Sequence, residues 1–174
     1  MPDVRRAARN RRKSDPPERR ALSRKHAYLS GVLTDLEAES AMPCTIRDTH
    51  ARGAEIRFSG NVPRGAHVYL LDTDTRMVHL ARVAWSSTGR CGLHFARSYP
   101  MGVRLPPHLR AFWRLFLESK LQEIERAVAI GASVESALRS AGLSREHLHF
   151  VARHASTDNR LEALVEKAKR LMAL

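Results

Sequence analysis

The 174-residue sequence predicts an α+β protein, a small six-stranded antiparallel β-barrel followed by a C-terminal helical module of about four helices. Two observations predict it. Between residues 27 and 95, apolar side chains recur with a period of two in short runs separated by polar turns; after Tyr99-Pro100 the period becomes about 3.6. A hydrophobic content of 43% is enough for a real core in one domain of ordinary size with additions.

The strands follow in order. Ala27 to Leu36 carries Tyr28, Leu29, Val32 and Leu33, and in Met42 to Asp48 Cys44 and Ile46 alternate with Thr45 and Arg47. Gly53 to Phe58 sets Ala54, Ile56 and Phe58 against Glu55 and Arg57. Such alternation sends one face inward and the other to water. Val68 to Leu71 and Met77 to Trp85 are joined by the polar turn Asp72-Thr-Asp-Thr-Arg76, and Arg90 to Phe95 follows Ser86-Ser-Thr-Gly89. Six short strands with short turns read as a small closed barrel. Trp85, spaced like its apolar neighbours, reads as core rather than as a stacking residue.

The helices come next. Leu109, Phe112, Trp113, Phe116, Leu117, Leu121, Ile124 and Val128 form one apolar stripe, entered through Pro106-Pro107 and ended near Gly131. A short helix runs from Ser133 to Gly142, a third starts at Ser144, and the last runs from about Thr157 to the end of the sequence. Leu161, Leu164, Val165, Ala168, Leu171 and Met172 give that last helix its buried face.

Charge is distributed unevenly. Of a net charge of +12, residues 1–26 hold ten Lys/Arg against three Asp/Glu, residues 27–100 eight against seven, and residues 101–174 twelve against eight. The arm with Arg5, Arg6, Arg9, Arg11, Arg12 and Lys13 is expected to be disordered when free; it reads either as an electrostatic arm for anions or as a solvated tail. No apolar run is long enough to span a bilayer and no signal-peptide pattern opens the chain, so a cytoplasmic location is expected. Cys44 and Cys91 have no metal-ligand spacing and read as buried apolar filler. The nine histidines form no metal pair, and no nucleophile, base and orienting group recur together; no catalytic residue, metal or cofactor is expected.

Two runs carry the chemistry: Arg20-Ala-Leu-Ser-Arg24, and Asp48-Thr-His-Ala-Arg-Gly53 between two strands. Together they resemble the RxxxR and [DN]xSxxG motifs of PilZ domains, barrel receptors of the bacterial second messenger cyclic di-GMP, with His50 standing where the family has serine. Arg82-Val-Ala-Trp85 and Gly92-Leu-His-Phe95 also look like the last PilZ hairpin. The resemblance implies a barrel domain over residues 19–100, preceded by the arm (1–18) and followed by a helical extension (101–174). It also implies a ligand, cyclic di-GMP, bound by Arg20 and Arg24 with Arg19 accessory, and by Asp48, His50 and Gly53.

Each residue has a physical role to fill. Guanidinium forks pair with phosphate oxygens and with guanine O6 and N7, and they stack on bases. An ionised Asp48 accepts from a guanine amino group. Gly53 suits a positive-φ position at the re-entry to the next strand. His50 could bond to the ligand, stack on it, or fill the pocket.

The function expected is thus a non-enzymatic bacterial receptor or adaptor of the kind that regulates motility or biofilm formation, signalling through the arm and C-terminal helices to an unidentified partner protein. A ligand-blind PilZ adaptor is one alternative. A DNA-binding regulator is another, because Val134 to Leu148 has a helix-turn-helix cadence with Arg145, His149 and Arg153 available to a groove; a plain helical hairpin capped by Gly142 is the simpler reading. No membrane span is implied, and homo-oligomerisation is left open.

Overall fold

The computed structural model describes residues 25–102, 105–154 and 158–173. Six strands close into an antiparallel barrel: β1 (Lys25–Thr34), β2 (Ala41–His50), β3 (Gly53–Phe58), β4 (His67–Asp72), β5 (Met77–Ser87) and β6 (Arg90–Pro100), in the order β1-β2-β3-β6-β5-β4. Pairing of Gly31–Thr34 with Tyr69–Asp72 seals the seam between β1 and β4. Closure leaves no unpaired edge. Helices α1 (Ala111–Ala129), α2 (Val134–Ala141), α3 (Arg145–His154) and α4 (Asn159–Ala173) follow, so the predicted architecture is observed.

Leu33, Ile46, Ile56, Leu70, Ala81, Val83, Cys91 and Leu93 fill the barrel interior. A second core lies outside it. Val32, Tyr69, Leu71 and Val78 point outward from β1, β4 and β5 and join Phe112, Trp113 and Phe116 of α1, with the Tyr69 and Phe112 rings edge-on at 5.2 Å. Strands β1 and β4 are consequently buried on both faces across their paired segment, which is why Val-Leu and Val-Tyr-Leu-Leu run there without alternation. β3 keeps its alternation because its outer face stays open.

The short helices are punctuated as the sequence predicts. The Ser133 hydroxyl accepts from Ser136 N at 3.2 Å, Gly142 takes φ 66° at the end of α2, and Asp158 Oδ1 accepts from Arg160 N and Leu161 N ahead of α4.

A polar knot fixes the helices to the barrel. Lys120 of α1 is 2% exposed and its Nζ lies 2.9 Å from Asp74 Oδ1 and 3.2 Å from Glu123 Oε2. Asp74 sits in the β4–β5 turn, where its other oxygen accepts from Ser30 N of β1 at 2.7 Å. Thr73 donates twice to the Ser30 carbonyl, and Asp72 Oδ1 accepts from Asp74 N and Thr75 N. One turn thus grips a strand and a helix. The guanidinium of Arg76, at the end of the same turn, meets the His147 ring on α3.

Two histidines make stability depend on pH. His79 stacks on Phe95 at 4.1 Å beside Ser98 Oγ, and burial holds its pKa below the usual 6.5. His147 is likewise lowered, by burial and then by the Arg76 cation. An unfolded chain therefore takes up these protons first, so stability is full above pH 6.5 and declines below it. Thermal melts between about pH 7.5 and 5 should show this loss, and His79→Gln should flatten it.

Candidate functional site

The helices cover one side of the barrel and leave the outer face of β2, β3, β6 and the second half of β5 open among the described residues. Asp48, His50 and Gly53 all lie on this face. Arg19, Arg20 and Arg24 lie outside the described residues. The register nevertheless fixes where their chain arrives: Lys25, the first residue of β1, pairs with Thr49.

Asp48 reaches the outer face through a bulge. Ile46 is a core residue paired with Ile56, and a regular strand would send Asp48, two residues later, to the same interior. The register slips at Arg47, so Asp48 instead pairs with outward-facing Glu55. A second bulge does the same for Trp85. Val83 is fully buried opposite Leu93, but the slip at Ala84 sets Trp85 opposite Gly92 on the outside, 39% exposed. The expectation that Trp85 is core is corrected here, because strict alternation cannot anticipate an inserted residue. Its ring lies on Gly92, where a Cβ would stand 2.1 Å from Trp85 Nε1. The Arg90 guanidinium flanks the ring at 5.8 Å from its centroid.

His50 is held by its own turn. Arg52 N donates to His50 Nδ1 at 3.2 Å, so the neutral ring carries its proton on Nε2. That nitrogen lies over Gly53, 3.4 Å from where a Cβ would be. The imidazole therefore presents a donor on the open face, the polarity a serine hydroxyl would supply, but with more bulk. Gly53 is also explained differently from expectation. It is not among the positive-φ glycines; instead, a Cβ would fall 2.2 Å from the Leu93 carbonyl, so β3 and β6 approach too closely there for any side chain.

In register, Trp85, Gly92, Glu55 and Asp48 form one row across four strands. Two carboxylates thus stand side by side, with an aromatic ring at the row's end and Arg90 and Arg57 in the row beyond. Glu55 and Arg90 belong to no sequence motif; only the bulged register reveals them. A carboxylate pair accepting from a base edge, an open ring for stacking and guanidinium groups for phosphate are the parts of a nucleotide-binding surface. The cysteines take no part: both are buried, and burial raises Cys44 to about 12 and Cys91 to about 11, keeping them as inert thiols. No group of three metal-ligating side chains occurs among the described residues.

A cleft of about 690 Å³ opens between β1–β3 and α1, lined by Thr45, Ser59, Glu118, Gln122, Arg126 and Arg57, the last of which also borders the candidate surface. Its charges are mixed and it lies away from the Asp48–Gly53 turn. Compared with protein-family models and with curated proteins, the chain matches neither. No helix among the described residues is long and apolar enough to cross a membrane.

Proposed function

We propose that the protein is a non-enzymatic receptor for cyclic di-GMP of the PilZ type, with an arm that closes over the ligand and helices that pass the signal to a partner protein. The β1–β2 register carries this reading. Lys25, the residue after Arg24 in sequence, pairs with Thr49 inside the Asp48–Gly53 run, which supports a meeting of the two motifs at one end of an open face. That face offers Glu55 as an acceptor with the half-buried Asp48 beside it, His50 Nε2 as a donor and Trp85 as a stacking surface. Binding would order the arm, and a ligand shifts such an equilibrium only by its differential affinity for the two states. The exposed apolar end of α1, with Ile130 88% exposed, belongs to the helical part through which output would pass.

One observation favours a second reading, a ligand-blind adaptor: the His50 ring occupies space over Gly53 that a serine would leave empty. Calorimetric titration with cyclic di-GMP separates them. Wild type should bind, and Arg20→Ala should weaken binding at least tenfold, about 1.4 kcal/mol. No heat with folded wild type overturns the receptor reading, and binding gained by His50→Ser would establish that the imidazole closes the site.

A further inference from the structure

One row further toward the β2–β3 turn, the open face carries a different pattern. His67 of β4 pairs with Arg82 of β5, Arg82 with His94 of β6, His94 with Gly53 of β3, and Gly53 with His50 of β2. Residues directly opposite in an antiparallel ladder share a face, so these side chains form one line on the outside of the barrel. His67, Arg82 and His94 are exposed, and the line contains no carboxylate. Four strand steps of about 4.8 Å make it roughly 19 Å long. Exposed Arg52 and Arg64 stand in the loops at the same end.

Like charges set directly opposite one another weaken a sheet, so protonated histidines beside Arg82 would cost the barrel stability. Among the described residues, no hydrogen bond or ion pair engages the side chains of His67, Arg82 or His94, so nothing within the barrel offsets that cost. Beside the line lies Trp85, with its ring backed by Gly92 and 39% of its surface open. Cations that follow a backbone, next to an aromatic face on which a base can stack, are what single-stranded nucleic acid requires. Duplex is a poorer fit, because the line follows the wall of a closed barrel, where a flexible strand can wrap and where strands, not a projecting helix, carry the contacts.

We infer that the His67–Arg82–His94–His50 line and Trp85 form a track for a short single-stranded nucleic acid, with phosphates on the basic line and a base on Trp85. The His50 ring lies over Gly53, so its Nε2 stands in the line next to His94 as a donor to a phosphate. The track shares His50 and Trp85 with the proposed messenger site, but His67, Arg82 and His94 have no role there, so variants at Arg82 and His94 test the track separately.

Filter binding with a labelled oligouridine dodecamer and the full chain tests it. Arg82→Ala/His94→Ala should weaken binding at least tenfold and make the salt dependence shallower by about 0.7 in log–log slope, for the one phosphate that Arg82 no longer neutralises. Arg82→Glu should weaken it further, and both positions are exposed, so the fold is expected to survive. The comparison is Arg11→Ala/Arg12→Ala/Lys13→Ala, which removes charge from the basic arm alone. If that variant abolishes binding while the Arg82 and His94 variants bind like wild type, the arm is the nucleic-acid element and the track is refuted. Failure of wild type to bind the oligouridine at low salt refutes it equally.

Discussion

Replacing Asp74 and Glu123 together by alanine is expected to cost about 3–5 kcal/mol of stability, whereas Lys120→Met should cost far less. The asymmetry follows from where the charges sit. The Lys120 side chain is 3% exposed, while Asp74 and Glu123 are 33% and 39% exposed. Without its acids, the ammonium is left in a dry site between α1 and the β4–β5 turn with nothing to pair with. Without the lysine, the carboxylates simply rehydrate, and methionine fills a similar volume in a site already walled by helix and turn. A domain of this kind has about a fifth or more of its stability at stake in the double variant, given totals of about 5–15 kcal/mol. Chemical denaturation followed by circular dichroism reads both. Equal losses would mean that the acids need the cation, contrary to the burial pattern.

Gly53→Ala is expected to cost roughly 3 kcal/mol through overpacking that cannot relax. The new Cβ would stand 2.2 Å from the carbonyl oxygen of Leu93, a backbone atom held in the β3–β6 ladder. At Gly92 the obstacle is the Trp85 ring, which can swing outward; at Gly53 the strands themselves must part. For a chain of this length, the loss corresponds to a fall of roughly 6–12 °C in Tm. Gly102→Ala is the control, since a Cβ there meets nothing within 4 Å, and its melting temperature should be unchanged. A Gly53→Ala melt that matched the control would show that the seam between β3 and β6 is looser than this geometry requires.

Much of the fold could be read from side-chain period alone. The run from Gly53 to Phe58 is β3 residue for residue, and the change of period after Tyr99-Pro100 marks the passage to helices. Strand ends were harder. β6 continues to Pro100 rather than stopping at Phe95, because Ala96, Arg97 and Ser98, across which its pairing with β5 extends, are exposed and break the apolar alternation before Tyr99. The site was legible in part. Asp48, His50 and Gly53 could be named from their spacing, but not the reason for Gly53, which depends on a strand forty residues away in sequence. The outward place of Trp85 and the pairing of Glu55 with Asp48 were hidden by the two bulges. A single inserted residue at Arg47 or Ala84 reverses every inference drawn from alternation beyond it, and sequence has no marker for that insertion.

The chain has two tryptophans, and the fold has put one in each of its parts. Trp113 is 5% exposed and packed against Phe116 and Phe150 within the helices, while Trp85 lies on the barrel's open face beside Arg90. Their emission should therefore differ in colour and in access to acrylamide, with Trp85 redder and readily quenched. Either ring, left alone by Trp→Phe exchange of the other, becomes an intrinsic optical probe of its own half. Whatever occupies the barrel face and whatever later moves the helices could then be timed separately in the same unlabelled protein.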